Sequence, residues 1–336
     1  MAFRIKVVKA IRAAEWWEYK LPPILAIAYA TSEFSDMPLY KVAPYCLFYL
    51  VSLVIGAIYV SIINDITDID ADRAAGKRNR LVGIPAKWRW LFPIGCVVIG
   101  MVFGYLMWPD ILTVTFYSLA WIAFSLYSIP PFRFKNRGAL GPLCDACGAH
   151  LFPTLTMLSG ISSISGQSVD FYWLIIVGIW AFSFGLRGIL WHQYLDREND
   201  FKAGIRTFAT QMNLSVFKPI AITIFSIELA AFVGILGYID EKLLVILLLV
   251  YFVLVVIRLK RYGHKPIILM TPKNQPFQVW MLDFYQVLFP VGLLLIACFH
   301  DPRSAIVLIV HCVLFPMKMI AIIRDFAVTI LKFIIR

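Results

Sequence analysis

Residues 44–63 read PYCLFYLVSLVIGAIYVSII and contain no charged side chain; residues 64–78 follow at once as NDITDIDADRAAGKR. A membrane-spanning helix requires about 20 consecutive apolar residues, and the first run has that length. The second run is acidic, then basic. An uncharged span that ends abruptly in carboxylates predicts a transmembrane helix delivering a polar cluster to one face of a bilayer.

The rest of the chain repeats the first half of that pattern. Its 336 residues are 61% hydrophobic, with a mean hydropathy of +0.80, and only 15% are charged. So few charges cannot coat a soluble globule of this size, so lipid is the expected solvent. Lys218 is the only charge between Leu214 and Ile227, and 243–257 is wholly aliphatic and aromatic. The expectation is an all-α polytopic bundle of about nine spans: 21–34, 44–64, 88–108, 111–129, 139–160, 171–195, 215–238, 241–260 and 278–299. Residues 1–20 are basic and amphipathic and predict an interfacial segment. Residues 21–300 form the main transmembrane unit, and 301–336 predict an additional membrane helix or half-span.

Basic residues collect on alternate connections, as the positive-inside rule requires. Arg4, Lys6, Lys9, Arg12, Lys20, Arg73, Lys77, Arg78, Arg80, Arg133, Lys135, Arg137, Arg187, Arg197, Lys202 and Arg206 fall on one side; Lys41, Lys242 and Arg303 fall on the other. The N-terminus and the acidic run are therefore expected to be cytoplasmic, in the cell (inner) membrane if the source is prokaryotic. The net charge of +11 suits anionic headgroups or a phosphorylated substrate, not nucleic acid. Cys144, Cys147 and His150 lack the further ligands a metal site needs, so helix packing is expected there.

The acidic run recurs. Asp68, Asp72, Ala75, Gly76 and Arg78 match Asp196, Asp200, Ala203, Gly204 and Arg206 at a constant offset of 128. The recurrence predicts two pseudo-repeated four-helix units related by an axis along the membrane normal. Asp65, Asp68 and Asp72 stand at i, i+3 and i+7, and Asn64 stands four residues before Asp68, which predicts one shared helix face. Asp70 is expected to point elsewhere. Asp196 and Asp200 are one turn apart. Carboxylates at membrane depth are costly and repel one another. A hard divalent cation, Mg²⁺ or Mn²⁺, resolves that repulsion and is commonly completed by substrate phosphates. Arg73, Lys77, Arg78, Lys202 and Arg206 are placed to hold phosphate oxygens.

Asn64-Asp65-x-x-Asp68-x-x-x-Asp72-Arg73 resembles the first signature of the UbiA family of intramembrane prenyltransferases. Asp196-x-x-x-Asp200-x-x-Ala203-Gly204-x-Arg206-Thr207 resembles the second. The segment from Tyr127 through Pro130, Pro131, Arg133 and Lys135 to Gly138 resembles the one that follows the fourth helix in that family. The resemblance covers roughly 20–300. It implies a nine-helix bundle with a central cavity near the cytoplasmic face and a hydrophobic channel, open to lipid, for an isoprenoid tail. It implies Mg²⁺ held by Asn64, Asp65, Asp68, Asp72, Asp196 and Asp200. Arg73, Lys77, Lys202 and Arg206 would contact the diphosphate of a prenyl diphosphate, with Tyr127 and Lys135 near the same headgroup.

The implied chemistry is transfer of the isoprenoid to an aromatic, lipid-like or polyol acceptor, with release of diphosphate. A dry pocket would protect the allylic cation, and Phe116, Tyr117, Trp121, Phe124, Tyr127 and Trp191 offer aromatic faces to it. Intramolecular cyclisation at the same site is the alternative, and transport of an anionic lipid is an alternative of another class. Two features depart from the family pattern: the first loop continues Arg80-Leu81-Val82-Gly83, and the second motif opens His192-Gln193-Tyr194-Leu195. His192 is expected to be structural or to face the headgroup. The acceptor stays open.

Overall fold

The computed structural model describes residues 12–334 except Asp36, Ala75, Lys77, Arg78, Ala203 and Lys273. It is a bundle of α-helices with one minor two-stranded parallel pairing, β1 (Lys265–Ile267) with β2 (Phe277–Val279). In chain order the helices are α1 (Ala13–Glu33), α2 (Leu39–Thr67), α3 (Ile69–Ala74), α4 (Leu91–Met107), α5 (Ile111–Ser128), α6 (Leu140–Ala146) and α7 (Phe152–Ile164). They continue with α8 (Phe171–Lys202), α9 (Leu214–Ile239), α10 (Lys242–Tyr262), α11 (Phe289–His300), α12 (Ala305–Leu314) and α13 (Pro316–Ile334).

Each expected span overlaps helical residues, but the helices are not equal. Among the described residues six are long and apolar enough to cross a membrane: Leu39–Thr67, Ala86–Met107, Ile111–Ser128, Phe171–Lys202, Leu214–Ile239 and Lys242–Tyr262. The other three fall short for visible reasons. Helix α1 is long enough at 21 residues, but Glu15, Glu18, Lys20 and Glu33 leave it no sufficiently apolar stretch. Helices α6 and α7 are joined by a π-helical turn over Cys147–Leu151. Helix α11 with its own π turn, Phe284–Leu288, makes only a short apolar segment. Residues 1–11 of the expected interfacial segment lie outside the described residues, and Ala13–Lys20 run straight into α1.

Lipid offers apolar helices little reason to associate, so close packing and buried polar pairs hold such bundles together. Both are present. A Cβ on Gly160 would stand 2.2 Å from the Tyr49 ring, so only glycine lets α7 approach α2 this closely. A Cβ on Gly185 would stand 2.8 Å from His150, which is buried against Phe184. His150 thus packs against α8 and also lines the cavity described below. The Cys144 thiol donates to the Ala123 carbonyl at 3.0 Å, and both Cys144 and Cys147 are free thiols.

The core between α8, α9 and α11 is aromatic. Phe232 lies 4.8 Å from Tyr285 and 5.1 Å from Phe289, and Trp180 lies 5.3 Å from Tyr285, all near edge-to-face. One turn from Phe184 sits Arg187. It was expected among the basic connections; it stands instead in the middle of α8, 2% exposed, because Glu228 of α9 faces it. The pair is bidentate, Nε to Oε2 at 2.6 Å and Nη2 to Oε1 at 2.7 Å, and Nη1 donates to the Ile268 carbonyl at 3.2 Å.

The C-terminal segment forms a bent pair: residues 302–314 and 316–329 meet at 90°. It is tied to α1. Glu18 accepts from the Met317 and Lys318 amides, both at 2.9 Å, and Trp17 Nε1 donates to the Leu314 carbonyl at 2.7 Å. A carboxylate at a helix N-terminus satisfies amides that have no partner within the helix. Arg258 of α10 bridges Asp283 and Asp325, joining α13 to the bundle.

Candidate active site

The two copies of the acidic motif end alike. Gly76 and Gly204 have φ of 67° and 68°, and each amide donates to the carbonyl three residues back, Arg73 and Phe201 respectively, at 3.2 Å. A left-handed residue closing a helix is a glycine position. The copies differ before that point. The second motif stays on α8 through Lys202, whereas the first breaks at Asp68, the C-cap of α2, and resumes as α3.

The two motifs open onto one cavity of about 980 Å³. Asn64, Asp68 and Asp72 line it from α2 and α3, and Asp196 and Asp200 line it from α8. Lys135, Arg133 and Arg206 stand at the same end, with Tyr127. Away from that end the wall becomes apolar: Leu53, Gly56, Ala57 and Val60 of α2 face Tyr117, Ala120, Trp121 and Phe124 of α5. Of the aromatics expected at a cation, Tyr117, Trp121, Phe124, Tyr127 and Trp191 line the cavity, while Phe116 packs against the core.

Asp68 is held by two cations. Its Oδ1 accepts from Lys135 Nζ at 2.6 Å and Arg133 Nη2 at 2.8 Å. Burial lowers the Lys135 pKa from the ordinary lysine value, and the Asp68 carboxylate opposes that shift by favouring the ammonium form. Asn79 holds Asp72: its amide nitrogen donates to Asp72 Oδ2 at 2.8 Å and to the Asp65 carbonyl at 2.7 Å. Ser128 donates to Asn64 Oδ1 at 2.5 Å, setting the end of α5 level with the end of α2.

Asp65 departs from the expected shared face. It is buried and does not line the cavity; Arg12 and Arg80 each stand 3.7 Å from it. Consecutive helical residues point about 100° apart, and here Asn64 faces the cleft while Asp65 turns to the two guanidinium groups. Asp70 is exposed and away from the cavity, as its register requires. Arg73 and Lys202 are exposed and outside the lining, and Lys77 lies outside the described residues. His192 does line the cavity, beside Gln193, one turn before Asp196.

Several contributors carried no role in the sequence reading. Arg133 was visible inside the segment after the fourth span, two residues before Lys135. Asn79, Asp145 and Lys20 gave no local signal. The loops themselves are joined: Gly138 and Thr207 form a parallel bridge, and Thr207 caps the short helix Phe208–Gln211 through a reciprocal capping box with Thr210. That bridge brings the Lys135 loop beside the end of the second motif.

The donors supplied by the two motifs are all oxygen, from α2, α3 and α8, at the polar end of an apolar cleft. Hard oxygen donors suit Mg²⁺, which binds few carboxylates and keeps room for phosphate oxygens. Among the described residues no three His, Cys, Asp or Glu side chains converge closely enough to enclose an ion by themselves. Such an open set fits an ion completed by a phosphorylated ligand better than a closed structural site.

A model described as the UbiA prenyltransferase family matches residues 20–282. A solved UbiA homolog from Archaeoglobus fulgidus, bound to GPP and Mg²⁺, superposes with a TM-score of 0.56 at 17% identity, covering 89% of this chain and 99% of that one. The same homolog bound to DMAPP and Mg²⁺ gives 0.52 at 16% identity, over 96% and 98% of the two chains. A third structure, bound to Cd²⁺, gives 0.57 at 17%, over 86% and 97%. At these identities the likeness is one of fold. No curated protein matches the chain.

Proposed function

The chain belongs to the UbiA prenyltransferase family, and from that premise we propose that it is an intramembrane prenyltransferase that binds a prenyl diphosphate with Mg²⁺. It transfers the isoprenoid to an aromatic, lipid-like or polyol acceptor and releases diphosphate. One observation carries this reading: Asp68 and Asp196, 128 residues apart, line one cavity whose polar end holds Lys135 and Arg206 and whose other end is apolar. We assign the acidic end to the cytoplasmic side of the membrane, the cell (inner) membrane in a prokaryotic source, on the alternation of basic connections.

Asn64, Asp68, Asp72, Asp196 and Asp200 would hold the metal, with Asp65 tying Arg12 and Arg80 behind them. When bound, the divalent ion supplies Lewis-acid neutralisation of the leaving diphosphate. Lys135, Arg133 and Arg206 would grip its remaining oxygens by charge-assisted hydrogen bonds as the allylic C–O bond breaks and the electron pair departs with the diphosphate. Arg73, Lys77 and Lys202 would add positive potential around it. The faces of Trp121, Phe124 and Tyr127 would meet the allylic cation, in a cleft dry enough to keep water from quenching it. The acceptor's nucleophilic atom then forms the new bond to that carbon and gives up its proton.

The test is direct. Purified protein in detergent is supplied with geranyl, farnesyl and geranylgeranyl diphosphates and Mg²⁺, with a membrane lipid and quinol extract as acceptor source. Mg²⁺-dependent release of pyrophosphate together with a new prenylated product supports the reading. A cyclic hydrocarbon formed without acceptor would replace transfer by cyclisation. No release with any substrate, by protein that still binds them, would replace enzyme by carrier.

A further inference from the structure

Helix α13 is amphipathic in the reverse sense to a helix on a soluble protein. Met317, Ile320, Ile323 and Leu331 are 74, 58, 57 and 55% exposed on its outer side. Ile322 and Phe326 pack with Leu254 and Val287. Lys318, Ala321 and Asp325, at i, i+3 and i+7, share a third face and turn toward a cavity. An outward apolar stripe of this kind requires lipid beside it. The helix also stands at 90° to the apolar segment before it. It lies at the acidic end of the bundle: Glu18 caps it, and Arg12, paired with Glu15 one turn earlier on α1, stands 3.7 Å from Asp65. At right angles to its neighbouring span, with one apolar side outward, α13 lies along the membrane surface.

The cavity behind α13 has a volume of about 540 Å³ and adjoins the one that holds the acidic motifs. Tyr19, Trp191 and Leu282 line both and stand between them. Its charges do not cancel. Arg258 is committed to Asp283 and Asp325. That accounts for the two carboxylates in the wall and leaves two further cations. Lys318 has no carboxylate partner among the described residues, and its ammonium rests over the Tyr19 ring at 4.7 Å. Arg324 reaches Asp325 only at 3.6 Å, and its side chain is 69% exposed. By helical register Arg324 sits on the border between the cavity face and the apolar stripe. Ala321, midway between the two cations, leaves the space between them free.

We propose that this second cavity is a binding site for the headgroup of an anionic membrane phospholipid, with Lys318 and Arg324 holding its phosphate. The acyl chains leave along the apolar stripe of α13, which is already in lipid. Excess positive charge selects an anionic headgroup over a zwitterionic one. A phosphate accepts charge-assisted hydrogen bonds from an ammonium and a guanidinium together. No step of prenyl transfer uses these residues, so the assignment stands apart from the reading of the main cavity.

The experiment measures lipid binding without any prenyl substrate. The full chain in detergent is titrated with dioctanoyl phosphatidylglycerol, dioctanoyl phosphatidylcholine and inorganic phosphate. Native mass spectrometry counts bound lipid, and acetylation of individual lysines locates it. The native chain should hold one phosphatidylglycerol about tenfold more tightly than phosphatidylcholine, the scale that two cations near an anionic headgroup supply. Bound phosphatidylglycerol should slow acetylation of Lys318 and leave Lys242, at the other end of the bundle, unchanged. Lys318→Gln with Arg324→Gln should erase the preference, whereas Lys242→Gln should keep it. The double variant should still bind phosphatidylcholine as the native chain does, which separates a lost site from a lost fold. Equal retention of the two lipids by the native chain, or a preference that survives the double replacement, overturns the proposal. Protection of Lys318 by inorganic phosphate at the same concentration as by phosphatidylglycerol overturns it too, since the site would then take a free anion rather than a lipid.

Discussion

Lys135 and Asp68, 67 residues apart, meet at 2.6 Å through Nζ and Oδ1 at the mouth of the cavity. A half-buried ammonium and a carboxylate in such contact neutralise each other while the phosphorylated ligand is away, and each is then positioned for it. Lys135→Ala should therefore lower pyrophosphate release by about 10²-fold or more, the scale seen when one donor to a developing oxyanion is removed. Lys135→Arg should retain more activity than Lys135→Ala, because the charge survives.

Asp68→Asn and Asp196→Asn should each abolish Mg²⁺-dependent turnover while leaving the bundle folded, since neither carboxylate lies in the apolar core. The check is thermal unfolding in detergent with Mg²⁺ and pyrophosphate present. A ligand at 100 times its dissociation constant raises stability by about 2.7 kcal/mol. Native protein should show a corresponding rise in Tm that EDTA removes. The two variants should show little or none. An equal rise in both variants would remove the acidic motifs from metal binding.

Arg187 and Glu228 form a fully buried ion pair. Breaking it from one side leaves an uncompensated charge, so Glu228→Leu should destabilise by about 3–5 kcal/mol. The double replacement, Arg187→Met with Glu228→Leu, should recover most of that loss, because no charge then remains buried. Unfolding midpoints of the three variants measure this. A double variant no more stable than the single one would mean that Arg187 earns its place through the Ile268 carbonyl instead.

Gly160→Ala should destabilise by about 1–3 kcal/mol, the usual range for overpacking, since its methyl would collide with Tyr49. Gly76→Ala meets no atom within 4 Å but forces a left-handed residue, so its cost of about 1 kcal/mol is conformational. Comparison of the two by Tm separates packing from backbone strain.

Glu18 holds the first turn of α13 through two amides. Glu18→Ala should cost about 1 kcal/mol, as other lost helix caps do, and should speed proteolysis between α12 and α13 while sparing the rest of the bundle. Limited proteolysis followed by mass spectrometry reads the site of cleavage.

Which features were legible beforehand follows from their range. The helix at 39–67, the recurrence of Asp68 and Asp72 as Asp196 and Asp200, and the glycine ends at Gly76 and Gly204 are all stated by residue identity within a turn or two. Length, apolarity and helical period are local properties, so amino-acid order alone determined the membrane bundle and the two acidic motifs. Tertiary packing decided the rest. It turned Asp65 away from the cleft toward Arg12 and Arg80. It brought Arg133 and Lys135 to Asp68, matched Arg187 with Glu228 inside the bundle, and folded residues 302–334 back onto α1. The reason is physical: the rotation of one helix against another depends on how glycines and bulky rings interlock across hundreds of residues, and a chain read in order records those surfaces without saying which of them meet.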